Sequence, residues 1–142
     1  MIYCDTSLLV ALLVEEAHSV VADLWMRERS AGAVFASAWV GTEIAGALAL
    51  KHRLGQLDDV AHAQATRAAV VLLNSLSSIP IETRHFVDAQ RLVSSPPKGL
   101  RSGDALHLAI VVDHALGLAT FDKQLANAAR HNGVGVVDLL LA

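Results

Sequence analysis

The sequence contains little of the material from which disulfide frameworks, zinc sites and aromatic nucleic-acid platforms are built. Of its 142 residues only one is a cysteine, and aromatic residues make up 4%. Cys4 has no partner for an intrachain disulfide, so we expect a buried thiol without a catalytic role, in a reducing compartment. The seven histidines form neither an HExxH motif nor a paired Cys/His pattern, which argues against zinc. The few aromatic residues are expected in the core or at a dimer contact.

The chain also lacks an excess of basic charge and a convincing membrane span. Its net charge is −3 and its pI about 6.1, so a nucleic-acid substrate would need a local basic patch. The first residues carry no basic cluster and include Asp5, which is not typical of a secretory signal. Residues 31–50 are long enough to span a membrane, but they contain Glu43 and a β-like run, so we predict a strand followed by a buried helix. We therefore expect a cytoplasmic protein that does not use a membrane.

Apolar residues are plentiful, and their distribution predicts one α/β domain. Hydrophobic residues make up 54% of the chain and charged residues 18%, which suits a single domain over residues 1–142. Short apolar runs predict strands at Ile2–Cys4, Val34–Ser37, Ile79–Ile81, Leu118–Phe121 and Val134–Val137. Helical patterns predict helices at Leu8–Glu16, His18–Ala31, Trp39–Arg53, Asp58–Leu76, Arg84–Val93, Gly103–Leu116 and Lys123–Asn132. This alternation indicates a mostly parallel central sheet flanked by about seven helices.

Local signals predict where several helices begin. The candidate N-caps are Asp58, Thr83, Ser102 and Asp122. The only stretch rich in Pro, Ser and Gly, residues 94–99, is interpreted as a surface loop rather than a domain linker.

Four acidic residues stand where an apolar chain has little structural use for them. Asp5 and Asp122 each follow a predicted strand and open a helix, at the sheet edge where ligands of α/β proteins bind. Asp104 falls in the first turn of its helix. Each of these aspartates, taken singly, is explained as a helix cap or as a charge that favours the helix dipole. Glu43 differs, because it lies in a long uncharged stretch and a buried carboxylate is costly unless it is paired or bound to a cation.

Together the four acids indicate a site for one or two divalent cations. Carboxylates gathered at one edge would repel one another, and bound metal would relieve that repulsion. Carboxylate oxygens suit Mg²⁺ or Mn²⁺, and hence phosphate chemistry. Such a metal orients and deprotonates a water for in-line attack on a phosphodiester, so no protein nucleophile is needed. The alternative is a buried ion pair or a partly exposed helix face for Glu43, and simple caps for the others.

Several motifs contain these acids. They are Asp5-Thr6-Ser7 after the first strand, a glutamate in the third helix, Leu100-Arg101-Ser102-Gly103-Asp104-Ala105-Leu106-His107-Leu108-Ala109, and Thr120-Phe121-Asp122 before Lys123. Together they resemble the motifs of PIN-domain ribonucleases, and most of all those of the VapC-type toxins of bacterial toxin–antitoxin pairs. The motif around Asp104 is the most specific. The resemblance spans essentially the whole chain.

The resemblance implies a Mg²⁺-dependent endoribonuclease, with Mn²⁺ as a possible substitute, built on a five-stranded parallel sheet. The catalytic and metal-binding acids of the family correspond to Asp5, Glu43, Asp104 and Asp122, and its usual Thr or Ser near the last acid corresponds to Thr120. An RNA substrate and a homodimer are implied as well. So is a small antitoxin protein that wraps the toxin and inserts a basic side chain near the metal site.

Two basic residues precede Asp104 on a flexible segment. Arg101 and Lys98 are candidates to hold an RNA phosphate beside the metal. Alternatively they are solvated charges or pair with Asp104. A phosphate contact is more expected for Arg101 than for Lys98.

Hydroxyl and imidazole groups near the acids have two interpretations each. Thr6 and Ser7 either bind a metal-bound water or cap the first helix, and capping is favoured. His107 lies three residues after Asp104 on the same helical face, which invites a role as a base or a zinc ligand. A packed histidine that hydrogen-bonds locally is favoured instead.

Two other kinds of function compete with a nuclease. The first is a non-catalytic α/β module that binds a partner through apolar helices, which suits the mean hydropathy of +0.45. The second, less expected, is a phosphatase or phosphoacceptor domain that uses Asp5 as nucleophile. A phosphatase of that kind places a second acid two residues on, where this chain has Ser7. Metal-dependent RNA cleavage would distinguish the nuclease from both.

Overall fold

The computed structural model describes residues 1–30 and 32–139. Its strands are β1 (Ile2–Cys4), β2 (Val34–Ser37), β3 (Ser77–Ile79) and β4 (Gly117–Ala119). Its helices are α1 (Thr6–Leu13), α2 (Ser19–Arg27), α3 (Ala38–Arg53), α4 (Asp59–Ser75), α5 (Thr83–Ser94), α6 (Ser102–Asp113) and α7 (Lys123–His131). Over these residues the α/β class, the parallel sheet and the seven helices are confirmed. Ala31, the predicted end of the second helix, lies outside the described residues.

The four strands are parallel and lie in the order β3-β2-β1-β4. In the centre, Ile2 of β1 is paired with Val34 of β2 on one side and with Gly117 of β4 on the other. Because all four strands run in the same direction, their carboxyl ends meet at one edge of the sheet. That edge carries the residues that follow β1, β2 and β4.

The prediction of a fifth strand at Val134–Val137 is wrong, because the described chain forms only a single parallel bridge there, between Leu118 and Val136. The Leu118 N–H donates to the Gly135 carbonyl at 2.9 Å, and the Val137 N–H donates to the Leu118 carbonyl at 2.8 Å. Pairing does not extend further along the three-residue β4, and a glycine inside a short run weakens strand formation. The sheet therefore has four strands.

The most deeply buried helix is α6, in which residues 104–111 are all buried. A helix that is apolar on nearly every side belongs in the interior of a protein. The core also contains the large, fully buried side chains of Tyr3, Leu8, Leu9, Trp25, Ile44, Leu48, Leu118 and Leu125. Asp104 and His107 are therefore polar groups in a buried helix, a placement that costs free energy unless each has a partner.

Carboxylates cap three helices, and two predicted caps are wrong. The side chains that accept a backbone N–H in the first turn are those of Asp5, Asp58 and Asp122. The N-cap of α5 is Glu82 rather than Thr83, because the Glu82 N–H donates to His85 Nδ1 at 3.0 Å and fixes the entry to the helix. The N-cap position of α6 is occupied by Arg101 rather than Ser102; Arg101 has extended backbone angles and its side chain makes no cap bond.

No helix within the described residues is both long and apolar enough to cross a bilayer. The apolar stretch before Lys51 forms β2 and α3 over its described part, as predicted. α3 buries Val40, Ile44 and Leu48, and the neighbouring helical stripe that contains Glu43 faces a cavity.

Candidate acidic site at the carboxyl edge of the sheet

The parallel pairing of β1 with β4 places the first and last acids of the site on neighbouring strands. Asp5 follows β1 directly, and its N–H donates to the Ala119 carbonyl at the end of β4 at 3.2 Å. Asp122 follows three residues after Ala119 and caps α7. Glu43 and Asp104 reach the same edge from the second turn of α3 and the first turn of α6.

All four acids line one cavity of about 550 Å³. The polar lining also includes Thr6, Ser7, Glu16, His18, Lys51 and Arg101. The structure thus brings together residues that are separated by up to 117 positions in the sequence.

Asp5 is the most deeply buried of these acids and keeps only 4% of its surface exposed. Its Oδ1 accepts a hydrogen bond from the Ser7 hydroxyl at 2.7 Å and a longer one from the Leu8 N–H at 3.5 Å. Burial raises the pKa of Asp5 above its ordinary value, and the hydrogen bond from Ser7 counteracts only part of that shift. Asp5 therefore caps α1 and also places a carboxylate in the cavity, where burial disfavours its charged form.

Glu43 is held by groups from two other helices. Its Oε2 accepts from the Thr6 hydroxyl at 2.5 Å and lies 2.6 Å from Nε2 of His107. Burial by itself would raise the pKa of Glu43, but the hydrogen bond and charge of His107 and the hydrogen bond of Thr6 lower it overall. A Cβ atom on Gly103 would lie 2.7 Å from Oε1, so a larger residue there would force the carboxylate away from the position in which Thr6 and His107 hold it.

A chain of hydrogen bonds leads from Glu43 into the core. The Tyr3 hydroxyl lies 2.9 Å from Nδ1 of His107 and 2.7 Å from the Ser37 hydroxyl. When Nε2–H donates to the carboxylate of Glu43 and Nδ1 carries no proton, Nδ1 accepts from the Tyr3 hydroxyl, which in turn accepts from the Ser37 hydroxyl. Burial raises the pKa of Tyr3, so its hydroxyl keeps the proton that it donates. His107 is packed, as predicted, but its partners lie far away in the sequence rather than nearby.

Asp104 and Asp122 share one guanidinium. Arg101 Nε donates to Asp104 Oδ2 at 2.8 Å, and Arg101 Nη2 donates to Asp122 Oδ2 at 2.5 Å. Burial raises the pKa of Asp104, an effect that the hydrogen bond and charge of Arg101 oppose. Of the alternatives considered for Arg101, pairing with Asp104 is therefore present in the structure. Lys98 is exposed and is not part of the cavity lining.

Hydroxyl groups connect the two strand ends. The Ser7 hydroxyl accepts from the Phe121 N–H at 2.9 Å and lies 3.4 Å from the Thr120 hydroxyl, whose oxygen accepts from the Asp122 N–H at 2.9 Å. The favoured prediction that Thr6 or Ser7 caps α1 is wrong. Asp5 is the cap, and both hydroxyls donate to carboxylates instead.

Sequence reasoning missed several residues of the cavity wall. Lys51 forms an ion pair with Glu16 at 2.5 Å, and the rings of His18 and Phe121 stack with centroids 4.3 Å apart. Lys51 follows Glu43 by eight residues, close to two helical turns, so helical spacing would have revealed it. No local signal in the sequence places Glu16 or His18 at the site.

A second group of potential metal ligands lies at the other end of α6. The ligand atoms of His85, Asp113 and His114 all lie within 4.8 Å of one another, the one group of three this close among the described residues. However, Asp113 Oδ2 already accepts from Arg84 Nη2 and lies at hydrogen-bond distance from His85 Nε2, each at 3.0 Å. Because His85 Nδ1 accepts the Glu82 N–H, the proton of the neutral ring is on Nε2. A cation would have to displace both that proton and a guanidinium, so this group does not fit a metal.

The cavity, in contrast, suits a hard divalent cation. Four carboxylates supply oxygen donors, and the cationic guanidinium of Arg101 already stands between two of them. Asp5, which is almost fully buried, has no cationic partner within hydrogen-bond distance among the described contacts. The donor set is therefore the kind that Mg²⁺ or Mn²⁺ prefers.

Comparisons with known proteins agree on one fold. The family model described as PIN domain matches residues 2–131. A solved structure of VapC20 from Mycobacterium tuberculosis, a toxin that cleaves the sarcin–ricin loop, is 21% identical with a TM-score of 0.71 and covers 90% of this chain and 95% of its own. FitAcB from Neisseria gonorrhoeae is 18% identical with a TM-score of 0.72 and covers 100% of both chains. A toxin–antitoxin complex from Klebsiella pneumoniae is 18% identical with a TM-score of 0.70 and covers 98% of both. A comparison with curated proteins gave no significant match.

Proposed function

Because this chain belongs to the PIN domain family, we propose that it is a metal-dependent endoribonuclease and the toxin of a VapBC-type toxin–antitoxin pair. The observation that carries the proposal is the cavity in which Asp5, Glu43, Asp104 and Asp122 meet at the carboxyl edge of a parallel sheet. A domain that only binds partners has no need to gather four carboxylates around one hollow, where they repel one another. The similarity to VapC20 and to the toxin–antitoxin complex from Klebsiella pneumoniae supports the same assignment.

In this proposal the four acids hold Mg²⁺, or Mn²⁺ in its place. When bound, the metal supplies a Lewis acid and an activated water for attack on an RNA phosphodiester. Asp5 offers a carboxylate that Ser7 orients, and Glu43 offers one that Thr6 and His107 orient.

Hydroxyls and basic side chains complete the proposed site. Thr120 holds the backbone of Asp122 at the start of α7, which fixes the position of the last carboxylate. The guanidinium of Arg101 lies at the rim, where it can donate two hydrogen bonds to a substrate phosphate once it releases the acids. Lys98, outside the cavity, is left with a weaker role in attracting RNA.

Cleavage mapping on RNA tests the proposed activity. Purified protein is incubated with total RNA in Mg²⁺ or Mn²⁺, and new ends are located by sequencing. We expect discrete cuts that disappear with EDTA and in Asp104→Asn, because either change removes metal from the cavity.

The matched control is Asp23→Asn, which removes a carboxylate from an exposed ion pair with Arg27 on α2. This variant should cut like the wild type. Cuts that persist in folded Asp104→Asn would remove Asp104 from the mechanism. Cuts that persist in EDTA would exclude a metal-dependent reaction. An absence of cuts from folded protein that is free of any copurified inhibitor would favour the partner-binding alternative.

The proposed partners are a small antitoxin and a second copy of this chain. The neighbouring DNA should contain a short reading frame for the antitoxin, and its product should copurify with this chain and suppress cleavage. Analytical ultracentrifugation of the chain alone should give the mass of a dimer. If the neighbouring reading frame is missing, a solitary nuclease becomes the better assignment, and the chemistry is unaffected.

A further inference from the structure

The cavity contains a cation that belongs to the chain itself. The Arg101 side chain is 68% exposed, whereas the side chains of Asp104 and Asp122 are 11% and 21% exposed. The guanidinium therefore reaches from the surface toward two shielded carboxylates. Its two contacts, at 2.8 and 2.5 Å, use the Oδ2 atom of each aspartate.

Nothing in the local structure of α6 requires this placement. Arg101 precedes the helix without capping it, and its side chain could lie in solvent like those of most surface arginines. The other basic residue that lines the cavity, Lys51, pairs with Glu16 instead. Among the described contacts, the basic side chain that neutralises Asp104 and Asp122 is therefore that of Arg101.

A divalent cation held by Asp104 and Asp122 would compete for the oxygens that the guanidinium uses. A carboxylate oxygen can accept from a guanidinium and bind a metal at once, but two cations on the same pair of carboxylates repel each other strongly. Binding of metal and the bridging position of Arg101 are thus opposed. The exposure of Arg101 leaves solvent into which it can swing.

We propose that Arg101 is an internal counter-ion that closes the Asp104–Asp122 pair in the metal-free protein and lowers the affinity of the site for divalent cations. This inference rests on the proposed function, since it takes the acids to be metal ligands. It adds a regulatory contact: metal binding displaces the guanidinium from the two aspartates. Arg101 thereby raises the metal concentration that is needed to fill the site.

Direct measurement of Mn²⁺ binding tests the inference without reference to activity. The dissociation constant is measured by the loss of the free Mn²⁺ electron paramagnetic resonance signal in the wild type, Arg101→Gln and Arg101→Lys. We expect Arg101→Gln to bind Mn²⁺ roughly three- to thirtyfold more tightly, the range typical of removing two partly exposed ionic contacts. Arg101→Lys should fall between the two, because an ammonium keeps the charge but lacks the planar fork that bridges both aspartates.

The matched control is Arg91→Gln. Arg91 forms an exposed i,i+3 pair with Asp88 on α5 that resembles the Arg101–Asp104 pair in spacing but lies outside the cavity. It should leave the Mn²⁺ affinity unchanged. Equal or weaker binding by folded Arg101→Gln, when the wild type does bind Mn²⁺, would overturn the counter-ion role and leave the proposed nuclease standing. Failure of the wild type and of Arg101→Gln alike to bind Mn²⁺ would instead overturn the proposed metal site, and the inference with it.

Discussion

The two ends of α6 carry two charged clusters that look alike in composition and differ in what they can do. At its start, Asp104 meets Arg101 and the other acids of the cavity; at its end, Asp113 meets Arg84, His85 and His114. The two aspartates are nine residues apart, about 14 Å along the helix. The cluster at Asp113 brings three possible ligand atoms closer together than the cavity does, yet it is the worse metal site.

The difference lies in whether the charges of a cluster are already balanced. Asp113 is matched by the guanidinium of Arg84 and by a hydrogen bond from His85, which together lower its pKa. In the cavity, Lys51 is paired with Glu16, so the four carboxylates proposed as ligands face the single guanidinium of Arg101, and burial raises the pKa of both Asp5 and Asp104. A compact cluster whose charges are already paired stabilises the fold. A looser cluster with excess negative charge favours the binding of a cation.

Asp5→Asn should produce the largest effect and separate function from stability. The amide keeps the shape and the acceptor oxygen for Ser7 but removes a buried charge, so cleavage should fall about 10²- to 10³-fold. In metal-free buffer at pH 7 the melting temperature should rise by about 2–5 °C, because an uncompensated buried carboxylate no longer has to be desolvated. Cleavage assays and calorimetry on the same preparation measure both.

The pH dependence gives this prediction its check. The folded-state pKa of Asp5 is raised above its ordinary value of 3.8, so the wild type loses stability relative to Asp5→Asn as the pH rises from about 4 through that raised pKa. The difference in melting temperature between Asp5→Asn and the wild type should therefore be small at pH 4 and larger at pH 7. A difference that stays constant across this pH range would show that the buried carboxylate of Asp5 does not destabilise the folded protein.

Gly103→Ala should have the next largest effect, through steric displacement rather than charge. The added methyl group would lie 2.7 Å from Glu43 Oε1, and Thr6 and His107 restrict the movement of that carboxylate. We expect cleavage to fall about 10- to 100-fold, as when groups that orient metal ligands are removed, while the circular dichroism spectrum is unchanged.

Gly46→Ala is the matched control, since it adds the same methyl group to an open position on α3. It should retain full activity. If Gly103→Ala cleaves RNA as fast as Gly46→Ala, the precise position of the Glu43 carboxylate does not matter for the reaction.

Tyr3→Phe tests whether the acid cavity depends on the core beneath it. The change removes the hydroxyl that lies between His107 and Ser37, which should lower the free energy of unfolding by about 1 kcal/mol. Cleavage should fall only a few-fold, because His107 still donates to Glu43 from Nε2. Denaturant unfolding and initial rates measure the two effects; a fully active variant of unchanged stability would contradict the hydrogen-bond chain.

Asp113→Asn should have the smallest effect and mark the contrast between the two clusters. Because His85 and Arg84 lower the folded-state pKa of Asp113, its stabilising contribution is present above about pH 4 and is lost as the pH falls through the lowered value. The variant should melt slightly below the wild type at pH 7 and equal it at acidic pH, the opposite trend to Asp5→Asn. Mn²⁺ affinity should not change, and a weaker affinity would place a metal at this cluster after all.

Much of the fold followed from patterns along the chain. Alternating apolar runs and helical stretches predicted four of the strands and all seven helices, because burial on one or both faces sets the hydrophobic period. The bounds of the third strand were wrong: β3 is Ser77–Ile79 and shares only Ile79 with the predicted Ile79–Ile81. The prediction of a fifth strand failed because a suitable apolar run does not guarantee a pairing partner. In the described chain, this run pairs with the sheet through a single bridge, between Val136 and Leu118. The predicted caps of α5 and α6 failed for two different reasons. The start of α5 is held by the His85 side chain, which lies inside the helix, and α6 follows Arg101 without any side-chain cap bond.

The identity of the four acids came from the sequence alone, since carboxylates in an apolar chain and a motif around Asp104 are local features. Only the tertiary structure decided which groups hold them: Thr6 and His107 on Glu43, Ser7 on Asp5, and Arg101 across Asp104 and Asp122. Most of these partners lie tens of residues apart, and no spacing rule connects them. A hydrogen bond tolerates deviations of only about a few tenths of an ångström in the donor–acceptor distance. That distance is set by how strands and helices pack rather than by the order of residues along the chain.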